Sequence, residues 1–475
     1  MSATPAPLWT AAELRAATGE ALAAEVAVSG VSIDSRTVGP GELFVALRDA
    51  RDGHDFVAEA LARGAAAAMV DRDPPGAAAD APLLRVADTL AGLTALGAAG
   101  RARGEARVAA VTGSVGKTGT KDMLRLLLGA AGPTHAAVAS YNNHWGVPLT
   151  LARLPREAAF AVVEIGMNNP GEIAPLARLA QPHAVCVTAI GEAHIGHMGG
   201  LDAIAEEKGS IAAGLLPGGT AVLNRDTPHF PRLAAIARAH GAARVLGFGR
   251  AAEAEARLLD AETGPAGTRA RLSVLGAAVE VALPGAIGLH HATNALGALA
   301  TAAALGVGPA RAAPALAAYR PGAGRGAARP IAVAGGGTAT LVDESYNAAF
   351  PAMRAALAAL AARPAAGRRV AVLGDMRELG AFSADLHAGL ADDAAAAADL
   401  VFCCGPEMAR LFARLPPGKR GAHAPDSAAL APVVAAALRD GDTVLVKGAL
   451  GSRMAVVVQA LTAAAAGGIP GGGRP

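Results

Sequence analysis

The sequence predicts a three-domain α/β protein built on parallel sheets, and three observations carry that prediction. The chain has 475 residues, the length of about three domains. Short apolar runs alternate with helix-period segments over 105–327 and again from 328 onward, the pattern of parallel sheets covered by helices on both faces. Residues 107–128 read strand, glycine loop, helix, which is the layout of a phosphate cradle. The expected division is a small α/β domain at 1–104, a central domain of P-loop type at 105–327, and a Rossmann-like α/β domain at 328–475.

Taken in order, residues 8–14 begin a helix with Thr10 as cap and Glu13 three positions later, a capping-box pattern. Alternation over 31–36 and the apolar run 41–47 predict strands. Residues 52–56 read as a turn, 57–62 as helix, 66–70 as strand, and the Pro- and Gly-rich 74–82 as loop. In the central segment, strands are expected at 108–111, 159–165, 184–190 and 220–223, with helices at 118–128, 149–153, 171–179 and 200–213. The polar, glycine-broken stretch 244–287 is expected to hold shorter strands, and 288–304 a long helix. Glycines at 322, 324 and 326 read as a hinge-like break. Beyond it, strands at 340–343, 370–373, 399–403 and 443–446 are separated by helices at 350–362, 383–398 and 452–463. The Gly- and Pro-rich tail 467–475 is expected to be disordered.

The central motif is Thr112-Gly-Ser-Val-Gly-Lys-Thr118. Gly113 and Gly116 allow a tight turn whose backbone N–H groups point inward. Lys117 is placed to reach the β- and γ-phosphates of a nucleotide, and the Thr118 hydroxyl to ligate Mg²⁺. The following helix adds its positive end. The run is not the strict GxxxxGK[ST] pattern, because Val111 stands five before Gly116. The alternative is a strand–helix turn that binds nothing.

Composition narrows the partners. Forty-two basic and 40 acidic residues leave a net charge of +2, which gives no argument for nucleic acid or an anionic membrane. Cys186, Cys403 and Cys404 cannot build a disulfide framework and show no zinc spacing; they read as buried, reduced thiols of a cytoplasmic protein. Residues 1–14 lack a signal peptide's basic region and apolar core, and 455–473 is a poor membrane span. No membrane insertion is expected.

Some polar residues stand at chemically suggestive places. Glu164 ends a strand, where ligands bind in parallel sheets; it reads either as a partner for Mg²⁺ beside Thr118 or as an acid facing water. His194 and His197 follow the next apolar run and read as polar-loop residues, with a metal role for one as the alternative. Lys208 reads as a solvated helix position, and Asn142 and Asn143 as turn residues.

These segments together resemble the Mur ligase family. The resemblance runs through 112–118, Tyr141-Asn-Asn-His-Trp-Gly-Val-Pro148, Val163-Glu-Ile-Gly-Met-Asn168, Ala193-His194, Lys208, His290-His-Ala-Thr-Asn294 and Gly324-Arg325. Members are ATP-dependent amide-bond ligases of peptidoglycan synthesis. Residues 343–348, 372–380 and 446–454 narrow it to the member that joins D-alanyl-D-alanine to UDP-N-acetylmuramoyl-tripeptide. At the front, Asp34-Ser-Arg36, 41–47 and Asp52-Gly-His54 resemble that member's UDP-sugar domain.

The resemblance implies that Gly113, Ser114, Val115, Gly116, Lys117, Thr118 and Gly119 hold ATP phosphates. It implies that Thr118 and Glu164 hold one Mg²⁺, and that Glu164, His194 and a carbamylated Lys208 hold or support a second. Lys117, Glu164, His194 and Lys208 are thereby the expected catalytic set. Asn294, Arg325 and Asp343 would meet adenine, phosphate and ribose, and Ser35 and Arg36 the UDP moiety. A cytoplasmic monomer is expected. Asn169, Ser210, Ala349, Phe350 and Ala449 depart from the family pattern, the last three on the dipeptide side. The rival readings are a sister ligase, a folylpolyglutamate-type ligase, and a P-loop NTPase without ligase activity.

Overall fold

The computed structural model describes residues 6–466 apart from 21, 23, 265, 364 and 365. The predicted disorder of 467–475 lies outside the described residues. The fold is α/β with three principal sheets, in agreement with the sequence expectation.

The N-terminal sheet has four parallel strands, Gly30–Ser32, Glu42–Val45, Ala67–Val70 and Leu83–Arg85, in that order. The helix Ala11–Thr18 starts with the expected capping box of Thr10 and Glu13. One long element escaped the sequence reading, the helix Thr89–Ala102. Its three glycines, at 92, 97 and 100, depress helix propensity. The structure shows why two of them are there. A Cβ on Gly97 would lie 2.9 Å from Pro148 O, and one on Gly100 2.2 Å from Leu151 O. The helix therefore lies backbone-to-backbone on the helix Gly146–Ala152 and fastens the N-terminal sheet to the central one. Trp9 Nε1 adds a bond to Ala152 O at 2.9 Å, and the Arg103 guanidinium covers the Trp9 ring at 3.8 Å.

The central sheet has nine strands. Arg107–Thr112 lies inside it, between Ala184–Val187 and Phe160–Glu164, all parallel. Val108 to Val111 are fully buried, as a strand covered on both faces requires. Thr220–Asn224 and Arg244–Gly249 continue the parallel part. The stretch expected to hold shorter strands instead forms a long antiparallel meander, Ala256–Gly264, Gly267–Val274 and Ala277–Pro284. Only one face of it is covered: Leu258, Leu272, Val279, Val281 and Leu283 point to the core, alternating with exposed neighbours. That period-2 pattern contains no continuous apolar run.

The C-terminal sheet runs Ala327–Ala332, Thr338–Glu344, Thr443–Lys447, Arg369–Gly374, Leu400–Cys404, Arg420–Ala424. It is parallel except for its first strand. Pro330 sits in that edge strand, where the missing N–H costs no inner ladder bond. The helix expected over 383–398 divides at Leu390 into Ser383–Gly389 and Ala391–Ala397. Central and C-terminal residues share one apolar cluster, in which Ile195 and Met198 are joined by Met376 and Leu379. The three cysteines are buried and unpaired. No described helix is long and apolar enough to cross a membrane.

Candidate active site

The strand Arg107–Thr112 delivers the chain into the glycine loop, and the helix Lys117–Gly129 leaves it. Two glycines are required by geometry. Gly113 has φ +151° and a Cβ there would fall 1.9 Å from Thr188 Oγ1; Gly116 has φ +85° and its Cβ would meet Asn294 Oδ1 at 2.7 Å. The loop lies at the carboxyl end of the sheet, against a cavity of about 360 Å³. Residues 114–119, Glu164, His194, Asn294 and Arg325 all line this cavity. The structure thus brings most of the expected site residues to one place. Gly113 shapes the loop from behind the cavity wall.

Lys117 Nζ donates to Gly113 O at 2.7 Å, so the ammonium folds over the loop where phosphates would lie. Burial pushes its pKa down, Glu164 opposes that, and Arg325 adds to it. Glu164 is 1% exposed, which excludes a strand-end acid facing water. Its Oε1 accepts from Thr118 Oγ1 at 3.2 Å and from Asn142 Nδ2 at 2.8 Å. Its Oε2 is buried with no partner among the described residues. A buried carboxylate oxygen left open beside a hydroxyl is a hard donor set that fits Mg²⁺. Among the described residues no three His, Cys, Asp or Glu side chains converge as a metal cage. Mg²⁺ beside a nucleotide needs only one or two carboxylates, because phosphates and water fill the remaining positions.

His194 stands in the left-handed region, φ +64°. Its Nδ1 meets the Glu378 carboxylate of the C-terminal domain, and this contact holds the Glu378 carboxyl below its ordinary range. Lys208 is 1% exposed, so the reading of a solvated helix position is wrong. Its neighbour Glu207 explains how the helix is anchored: the carboxylate accepts Gly171 N–H and Ile173 N–H, each at 2.8 Å. Burial, then the nearby Lys117, push the Lys208 ammonium well below its usual pKa. Lys208 does not itself line the cavity.

Asp343, expected at the nucleotide, does not line the cavity, and Ser35 and Arg36, expected at the UDP moiety, lie apart from it. Asp343 turns away from the cavity; its Oδ1 accepts Ser345 N–H at 3.1 Å and Ser345 Oγ–H at 2.6 Å. The residue that lines the cavity is Glu344, because successive side chains of a strand face opposite ways. Glu344 Oε2 accepts from Lys447 Nζ at 3.0 Å, and Lys447 is only 3% exposed. Ser35 and Arg36 lie in the N-terminal domain, where Arg36 forks onto Asp34 at 2.8 and 2.6 Å.

Other residues join the site without a motif to announce them. Ser140 Oγ lies 3.3 Å from Thr118 Oγ1 and accepts from Arg325 Nη2 at 2.8 Å. The Arg325 guanidinium covers the Tyr346 ring at 4.2 Å. Ser140 sits in a loop, and no periodicity in the sequence marks it. Glu344 was findable from strand alternation alone.

Comparison with known proteins agrees with this geometry. Residues 111–302 match the Mur ligase middle domain, 331–450 the Mur ligase glutamate ligase domain, and 27–101 the Mur ligase family catalytic domain. The chain is 36% identical to the UDP-N-acetylmuramoyl-tripeptide–D-alanyl-D-alanine ligase of Escherichia coli (strain K12), over 93% of this chain and 96% of that protein. It is 34% identical to the ligase of the same name from Treponema pallidum (strain Nichols), over 88% and 90%. A crystal structure of MurF from Acinetobacter baumannii superposes with TM-score 0.82 at 30% identity, covering 96% of this chain and 99% of that one. MurF of Thermotoga maritima in complex with ADP gives TM-score 0.76 at 26% identity, covering 92% and 98%. With its phosphate cradle facing the C-terminal sheet across one cavity, and with that similarity along nearly its whole length, the chain belongs to the Mur ligase family.

Proposed function

We propose that this chain is an ATP-dependent ligase that joins D-alanyl-D-alanine to UDP-N-acetylmuramoyl-tripeptide, releasing ADP and phosphate, in peptidoglycan precursor synthesis. The observation that carries this reading is the 36% identity, over 93% of the chain, to a ligase named for that reaction. The cavity between the central and C-terminal sheets supports it, since one side offers a phosphate loop and the other faces it with Glu344, Tyr346 and Lys447.

In this reading loop 113–119 cradles the ATP phosphates with its backbone N–H groups, and Lys117 leaves the Gly113 carbonyl for the β- and γ-phosphates. Thr118 and Glu164 would hold Mg²⁺, and His194 and a carbamylated Lys208 would support a second ion. Bound Mg²⁺ supplies charge neutralisation at the phosphate oxygens. The tripeptide carboxylate attacks the γ-phosphorus, the bond to the ADP oxygen breaks, and an acyl phosphate forms. The amine of the dipeptide then attacks the acyl carbon, phosphate leaves, and the amine gives up a proton. Lys117 and Arg325 offset negative charge as it spreads in the first step. Asn294, packed against Gly116, faces the nucleotide, and Glu344 is the carboxylate poised for its ribose. Residues 1–104 hold the UDP-sugar-peptide through Ser35 and Arg36, 105–327 hold ATP, and 328–475 receive the dipeptide. The chain acts as a cytoplasmic monomer.

The test is phosphate release with UDP-N-acetylmuramoyl-tripeptide, with and without D-alanyl-D-alanine. Release that depends on both substrates, with pentapeptide product in the mass spectrum, is expected. Release without the amine acceptor would instead identify a simple NTPase.

A further inference from the structure

One place where the C-terminal domain touches the central domain is the tight turn of residues 375–380, which follows the strand Arg369–Gly374. Gly196 N–H donates to Glu378 O at 2.9 Å. Gly196 and Gly380 interleave so closely that a Cβ on Gly196 would lie 2.6 Å from Gly380 N. At the same point the Glu378 carboxylate closes on His194 Nδ1. Both partners are non-glycine residues held in the left-handed region, His194 at φ +64° and Glu378 at φ +62°. Such backbones are strained and persist where surroundings enforce them. The enforcement is visible in the burial of Ile195, Met198, Met376 and Leu379 beside the contact. The turn is itself pinned from behind, since His387 Nε2 accepts Met376 N–H at 3.0 Å.

A carboxylate lying against Nδ1 favours the tautomer with its proton there, which leaves the lone pair on Nε2. His194 and Glu164 line the same cavity, and among the described residues the Glu378 carboxylate is the ring's one charged partner. We propose that Glu378 is a positioning residue for His194: a carboxylate of the C-terminal domain that aims the Nε2 of a central-domain histidine at the metal–phosphate site. The site is then complete only when the two domains are docked. This inference rests on the reading of the cavity as a Mg²⁺–nucleotide site.

The full-length protein is titrated with Mn²⁺ in the presence of ADP, and free Mn²⁺ is read by electron paramagnetic resonance. Glu378→Ala should weaken Mn²⁺ binding by about tenfold or more, while ADP binding measured in EDTA stays at the wild-type value. Glu378→Gln, whose amide oxygen still accepts from Nδ1–H, should keep most of the wild-type affinity. In a His194→Ala background, Glu378→Ala should cause no further loss. Glu378 is 41% exposed, so melting temperatures should stay near wild type. Wild-type Mn²⁺ affinity in Glu378→Ala, or an additive loss in the double variant, would overturn the positioning role. A wild-type protein that binds no Mn²⁺ with ADP would remove the metal–nucleotide reading itself, and the proposal with it.

Discussion

At the scale of single residues, chemistry was legible where backbone geometry forces the residue type. Gly113 and Gly116 can be nothing else at their φ angles and contacts, so the loop announced itself. Ser140 reaches the site from a loop that no pattern marks, and Glu378 sits in the recognised segment 372–380, which does not by itself say that its carboxylate meets His194. The Asp343–Glu344 pair shows a finer limit. A resemblance placed the nucleotide contact on Asp343, yet the strand points Glu344 into the cavity and leaves Asp343 bracing Ser345. Glu344→Gln is therefore expected to weaken ADP binding by about tenfold, in the range of a lost hydrogen bond to a charged group. Asp343→Asn should leave it nearly unchanged. Calorimetry on both variants checks this, and the opposite order would return the contact to Asp343. Lys208 carries a sharper prediction. A buried amine whose pKa is pushed well down by burial and by Lys117 is the form that reacts with CO₂, and a carbamate would suit nearby Mg²⁺. Lys208→Arg should lose activity on the order of a hundredfold or more, because guanidinium stays charged and forms no comparable carbamate. Lys208→Ala should lose as much and regain part of it in concentrated acetate. The alanine variant leaves a void, so its melting temperature must be measured alongside. A fully active arginine variant would end the carbamate reading.

At the scale of elements, strands buried on both faces were the easiest to read, because they are continuous apolar runs such as 108–111 and 443–446. The meander over 256–284 hid behind its polar face, and the helix Thr89–Ala102 hid behind its glycines. That helix yields a test in which two principles oppose each other. In an exposed helix interior, Gly→Ala stabilises by roughly 1 kcal/mol. At Gly100 the new methyl would meet Leu151 O at 2.2 Å, and overpacking costs about 1–3 kcal/mol or more. Backbone cannot move aside as a flexible side chain would, so the clash should win. Gly100→Ala is expected to lower the melting temperature. Gly129→Ala, at the end of the helix Lys117–Gly129 with nothing within 4 Å of its Cβ, should leave it unchanged or raise it. Denaturant melts of both variants decide the matter. Equal stabilisation by both would mean that the two helices are not in backbone contact.

At the scale of the whole molecule, several buried and half-buried histidines give stability a pH dependence whose sign can be worked out. Burial lowers the pKa of His135, His290, His291 and His387. Burial is the main cause in each, and for His387 the geometry at Nε2 adds to it. His387 Nε2 accepts Met376 N–H at 3.0 Å while Nδ1 faces Ser383 O at 2.7 Å, so a second ring proton would point at a donor. His290 and His291 stack with centroids 4.0 Å apart, and two charges there would repel. In the unfolded chain each ring protonates near pH 6.5; in the folded chain it does not until lower pH. The unfolded state then binds more protons, so stability is full above about pH 6.5 and falls as pH drops below it. Each such ring adds a slope of up to about 1.4 kcal/mol per pH unit until its folded pKa is reached. Carboxylates held low, such as Asp442 beside Arg368, contribute in the other direction of charge. Their stabilisation is present above about pH 4 and is lost only below that, so the two windows separate. The ligand-free protein should therefore lose melting temperature steadily from pH 7 to pH 5 at fixed ionic strength. His387→Gln, whose amide oxygen can still accept Met376 N–H, should show a shallower slope over the same range. A melting temperature that is flat or rising between pH 7 and pH 5 would mean that these rings take up protons in the fold as readily as in the unfolded chain.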